Sequence, residues 1–158
     1  MATEIKAPGD YNLAQYNVII FLGGSIEQDT AVQWQKRVVT TFKKYGQVLI
    51  LNPRRDQWDP KWVQSKSNKN FRQQVTWELD GQDVANARIY YFDPNTKSPI
   101  TLLELGHYGP EWKSSYVVCP AGYWRRGNVE IFCERHHIPM YKTLKAATDA
   151  IKKDFKLW

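Results

Sequence analysis

The stretch "NVIIFLGG" (Asn17–Gly24) decides how this chain is read. It is a short apolar, largely β-branched run closed by paired glycines, the pattern of a strand buried on both faces and followed by a tight turn. Working outward, "QVLILNP" (Gln47–Pro53), "RIYYFDP" (Arg88–Pro94), "SSYVVCP" (Ser114–Pro120) and the brief "IPMY" (Ile138–Tyr141) repeat the theme. Helical patterns separate these strands. The first carries Val32, Val38, Val39 and Phe42, with Asp29 as its cap and Gly46 as its stop. "FRQQVTWELDGQDVANA" (Phe71–Ala87), "SPITLLELGHYG" (Ser98–Gly109) and "GNVEIFCERHH" (Gly127–His137) follow, and Thr143 caps a final helix to about Phe155. Strands alternating with helices imply right-handed βαβ units, hence an α/β fold with a parallel sheet covered on both faces. Residues 1–16, polar and containing Pro8-Gly9, read as a loose leader to a single domain over 17–158.

Composition narrows the classes. At 158 residues the chain is one domain in length, with 42% apolar residues and 7 Trp. No apolar run approaches the roughly 20 residues of a membrane span, and the first residues lack a signal-peptide pattern. Cys119 and Cys133 have no metal-ligand spacing and lie in apolar surroundings, so they read as buried free thiols of a reducing cytoplasm. The net charge of +6 points weakly to anionic partners, because many lysines fall on the solvated face of the last helix. His107 stands alone and His136-His137 are adjacent, so no metal site is expected.

In a parallel sheet, ligands sit beyond the carboxyl ends of the strands. That rule gathers the Gly23-Gly24-Ser25 turn, the long polar loop from Arg54, the Asp93–Thr101 loop and the Cys119–Asn128 loop along one edge. Ser98 reads as an N-cap and Pro99 as the first helical residue. The acid among the leucines that follow, Glu104, can then face the edge crevice, or can merely complement the helix dipole. The preceding helix adds Glu78, Asp80 and Asp83. Two carboxyls in one crevice can divide the work of breaking a glycosidic bond, one as nucleophile and one as proton carrier, and retaining chemistry needs them only about 5 Å apart. "GGS" is neither GxGxxG nor a P-loop. Trp58, Trp62, Trp124, Arg125 and Arg126 can stack on the bases of a single strand, hold one nucleobase, or simply pack.

The ordered pieces "IIFLGGSI", "NPRRDQW", "QVTWELDGQDVANARIYYFDP", "LLELG" and "ERHHIPMYKTLKAA" resemble the nucleoside 2-deoxyribosyltransferases, and more closely their shorter "like" branch, over about residues 17 to 152. The resemblance implies a flavodoxin-like three-layer fold with a five-stranded parallel sheet. It implies a cytoplasmic homo-oligomer without cofactor, acting on nucleosides or nucleotides rather than nucleic acid or membranes. The family cleaves the N-glycosidic bond of 2′-deoxynucleosides through a covalent deoxyribosyl-enzyme and passes the sugar to another base. By position, Glu104 matches the family nucleophile. The partner acid falls at Asp80 when counted back from "ARI", the favoured register, and at Glu78 when the "WE" pair is matched. Gly23, Gly24 and Ser25 match the turn beneath the nucleoside, with Phe21 where transferases often carry Tyr. Arg54 and Asp56 match the "PR…W" loop, and Asn128 falls near an Asn that completes a neighbouring subunit's site. Ser98 stands where studied transferases carry Asp, which leaves open a hydrolytic variant. Ser25, Arg125 and Arg126 could hold the phosphate of a deoxynucleoside 5′-monophosphate. A non-catalytic binder of nucleotide-like ligands is the alternative in class.

Overall fold

The computed structural model describes residues 1–26, 31–111 and 114–158, so Asp29 and Trp112 lie outside the described residues. Its strands are β1 (Thr3–Lys6), β2 (Val18–Gly24), β3 (Val48–Asn52), β4 (Ala87–Tyr91), β5 (Ser114–Val118) and β6 (Met140–Tyr141). The helices are α1 (Trp34–Phe42), α2 (Lys69–Val84), α3 (Pro99–Tyr108), α4 (Arg126–Arg135) and α5 (Leu144–Asp154). The strands form one parallel sheet in the order β1-β3-β2-β4-β5-β6.

Strand periodicity explains the layers. Alternate residues of β2 point to opposite faces. Val18, Ile20 and Leu22 pack with Trp34, Val38 and Phe42 of α1 and with Leu144, Ala147 and Ile151 of α5. Ile19 and Phe21 pack on the other side with Trp77 of α2. Tyr90 and Val117, on that same side, meet Leu105 of α3 and Val129 of α4. Helices α1 and α5 thus cover one face and α2, α3 and α4 the other, the three-layer, flavodoxin-like fold expected. Both cysteines are free and buried, as read, and burial pushes each thiol up to about 11. No described helix is long and apolar enough to cross a membrane.

Two local features differ from the sequence reading. The sheet has six strands rather than five, because β1, within the segment read as a loose leader, pairs with β3 from Thr3↔Leu49 to Lys6↔Asn52. An edge strand is covered on one side only, so "TEIK" needs no apolar run, and its residues are merely half-buried or exposed. Ser98 is the second difference. Asn68 and Thr143 cap α2 and α5 through side-chain oxygens that accept from Phe71 and Ala146 amides, but Ser98 makes no such bond. Its backbone is left-handed (φ 46°, ψ 53°) instead of extended as a side-chain cap requires. The hydroxyl lies 2.5 Å from that of Ser25 and 2.8 Å from that of Thr96, in a buried cluster beneath the edge. Pro99 does open α3, as expected.

Candidate active site

The strand order reverses at β2, whose neighbours are β3 on one side and β4 on the other. Such a switch point leaves a crevice at the carboxyl ends of the strands. The β2–β4 register sets Phe21 beside Arg88 and Gly23 beside Tyr90 at this seam. Helix α2 approaches it closely: a Cβ on Gly81 would lie 3.1 Å from the Phe21 ring. That approach carries Glu78 and Gln82, on the same stripe of α2, over the seam. Glu104 arrives from α3. Its neighbour Leu105 is buried and Leu102 half-buried, anchoring α3 as expected, whereas Leu103 is 70% exposed.

The two glutamates feel one another. Loss of hydration and, after it, the charge of Glu78 together push Glu104 up to about 8, against a hydrogen bond from the Gln82 side chain. Glu78 is pushed up to about 7 by loss of hydration, against the Gln74 Nε2–H that it accepts at 2.8 Å. Ionising both carboxyls together is therefore disfavoured, and near neutrality the pair retains a proton that belongs to both sites. One anionic and one protonated carboxyl is the charge state that nucleophilic attack with proton delivery requires.

The remaining sequence candidates divide. A Cβ on Gly23 would lie 2.7 Å from the Tyr90 ring, and one on Gly24 would lie 2.5 Å from the Tyr91 carbonyl oxygen, so the paired glycines make room for β4. Ser25 is buried with Ser98, and its Oγ accepts the Asp93 amide at 2.9 Å. Arg54 extends towards α1, where its Nε donates to Gln35 at 3.0 Å. Asp56 is exposed and paired with Lys6 at 2.8 Å. Asp80 is exposed, and its charge acts on Tyr11 rather than on Glu104. A separate groove of about 400 Å³ between α3 and α4 holds Asn128, Arg125 and Trp124 and neither glutamate. There Arg125 lies over the Trp124 ring at 4.3 Å. Arg126 is engaged by the Cys119 carbonyl and by Glu130. Trp58 and Trp62 pack edge to face, with Arg55 over Trp62.

Sequence reasoning missed Gln74, Gln82 and Tyr90. Spacing held a signal for the first two, since Gln74, Glu78 and Gln82 recur every four residues and must share a helix face.

No curated protein matches the chain. The family described as "Nucleoside 2-deoxyribosyltransferase like" matches residues 17–123, from β2 through both glutamates to the loop before α4. The matched region includes the switch-point crevice and most of the sheet. On that match, the chain belongs to the nucleoside 2-deoxyribosyltransferase-like family.

Proposed function

We propose that this protein cleaves the N-glycosidic bond of 2′-deoxynucleosides and transfers the sugar to a second nucleobase. Family membership supports glycosyl transfer of this kind. The observation that carries the finer reading is the convergence of Glu104 and Glu78, both pushed up by burial and coupled in charge, at the switch-point crevice. Glu104 is the nucleophile: a carboxylate oxygen bonds to C1′ as the C1′–N bond breaks, and the bonding pair leaves on the base nitrogen. Glu78 delivers its proton to that nitrogen. In the second half, an acceptor base attacks C1′ and the ester C–O bond breaks. Glu104 is regenerated, and the acceptor's N–H proton returns to Glu78. We assign the partner acid to Glu78 rather than Asp80 because only Glu78 is coupled to Glu104.

The proposal includes a homo-oligomer whose sites are completed across subunits. Asn128 is exposed in a groove apart from its own Glu104. Ile100, Leu103, Trp124 and Ile131 expose apolar surface on α3, α4 and the loop leading from β5 into α4, which favours burial against a second copy.

The test incubates the protein with each deoxynucleoside, with and without a free second base, then separates the products. Quenched samples are digested and the Glu104 peptide weighed. Base exchange and a deoxyribosyl adduct on Glu104 are expected. Base release without exchange would make it a hydrolase, and absence of any base release would sink the enzymatic reading.

A further inference from the structure

Gln82 is a fully buried amide whose two ends face different partners. Its Oε1 accepts the Tyr90 hydroxyl at 2.8 Å. Its Nε2 faces the Glu78 carbonyl oxygen at 3.3 Å and supplies the hydrogen bond to the Glu104 carboxylate. Burial, chiefly, holds the Tyr90 phenol far above its ordinary titration range, so its oxygen keeps its proton and serves as a donor. With the phenol O–H donating to the amide oxygen and Nε2 facing the Glu78 carbonyl, both amide N–H groups turn away from Tyr90, and these bonds favour this orientation over the flipped one. The backbone is braced too: the buried Arg88 Nε donates to the Gln82 carbonyl at 2.9 Å while its guanidinium lies over the Tyr108 ring at 4.7 Å.

We propose that Gln82, its amide oriented by Tyr90, is the positioning residue for Glu104: it holds one carboxylate oxygen so that the other is presented to the sugar carbon. The inference rests on the reading of Glu104 as nucleophile. An N–H donor favours the anion over the neutral acid, so Gln82 stabilises the attacking carboxylate and the same carboxylate when it departs from the sugar. The titratable and charged groups around Glu104 are Glu78 from α2, Tyr90 from β4 and Tyr108 of α3, with Arg88 against Tyr108 and Asp83 bonded to the Tyr108 hydroxyl. Burial and the Glu78 charge disfavour the Glu104 anion, and Gln82 is the neutral donor that offsets them.

The test compares the parent, Gln82→Leu, Tyr90→Phe and the double variant, following base release from a deoxynucleoside against pH. Losing the donor raises the Glu104 pKa, already above that of Glu78. Less of the enzyme then carries an ionised Glu104 beside a protonated Glu78, and the limb of the rate profile that Glu104 sets, the alkaline one, moves to higher pH. Gln82→Leu is expected to lower kcat roughly ten- to hundredfold, the weight of a hydrogen bond to a charged group, with KM changed less than about twofold. Tyr90→Phe keeps the ring packing but frees the amide to flip, and shifts the limb in the same direction with a smaller loss. The double variant should be no worse than Gln82→Leu alone, since the phenol acts through the amide. If Gln82→Leu does not fold, the limb shift in Tyr90→Phe decides alone. An unmoved limb in the folded variants, or losses that multiply in the double variant, would overturn the proposal. Those outcomes with an intact Glu104 adduct in the parent refute Gln82 only, whereas no adduct in an active parent removes the nucleophile reading and this inference with it.

Discussion

Replacing Glu104 by Gln should abolish sugar transfer and yet make the protein more stable above neutral pH. The amide is close to isosteric with the carboxyl, and its oxygen can still accept from Gln82. What it removes is the penalty of ionisation in a desolvated site. Glu104 is pushed from an ordinary value of 4.5 to about 8. For an acid, a raised folded-state pKa means that the unfolded chain loses its proton first. The folded state therefore loses stability as pH rises from the unfolded value towards the folded one, and regains it at lower pH. The slope is about 1.4 kcal/mol per pH unit at most. Glu78 titrates in the same range and supplies part of the shift, so the share of Glu104 alone at pH 8 is about 2–3 kcal/mol. For a domain of this size that corresponds to roughly 5–10 °C in Tm. Thermal melts of parent and Glu104→Gln at pH 5 and pH 8 check it. The variant should melt higher at pH 8 and nearly level with the parent at pH 5. Equal melting at both pH values, or a lower Tm for the variant at pH 8, would mean that the Glu104 charge is well solvated, and the argument for a coupled acid pair would go.

Glu78→Gln should remove proton delivery and flatten the alkaline limb of the rate profile, with a rate loss of about a hundredfold or more, while Asp80→Asn stays within about twofold; steady-state rates against pH separate the two. Asn128→Ala and Glu104→Ala proteins, each weak alone, should recover activity when mixed and allowed to exchange subunits. A fully active monomer by light scattering would refute shared sites. Gly23→Ala should cost about 1–3 kcal/mol by overpacking, because its methyl would meet the Tyr90 ring at 2.7 Å; denaturant melts measure that cost, and a neutral result would show that the ring yields freely.

How much of this was legible beforehand depended on where apolar residues carry the packing. The strands β2 and β3 announced themselves, since each is enclosed by helices and reads as a nearly continuous apolar run, and β4 did so through Ile89, Tyr90 and Tyr91 in spite of the buried Arg88. The edge strand β1 did not, because its half-covered surface accommodates Glu4 and Lys6. Helix α2 concealed its orientation for a related reason. Its buried residues are Gln74, Trp77, Gly81 and Gln82, a helical stripe of which three members are polar or glycine. Hydropathy alone could not show which side faced the sheet, so the register of the acid stayed open between Glu78 and Asp80. Rotation separates them: two residues along a helix is about 200° around it, so the two carboxyls cannot serve one crevice. The "LLELG" resemblance singled out Glu104, but nothing in the sequence singled out the Gln82 amide bonded to it, because Gln82 reaches Tyr90 only after α2 and β4 have docked.

The pairing of β1 with β3 also sets an order of assembly. Residues 3–6 leave the ribosome ahead of their partners, residues 49–52, which must emerge before the strand has anything to pair with. The opening segment therefore waits while the chain is made, and completes the sheet after its centre has begun to form. Until it arrives, or if a protease removes it, β3 offers a bare row of amide and carbonyl groups to any extended chain nearby. Trimming a few residues far from the crevice would then show itself as clumping during expression, with the chemistry of each surviving molecule intact.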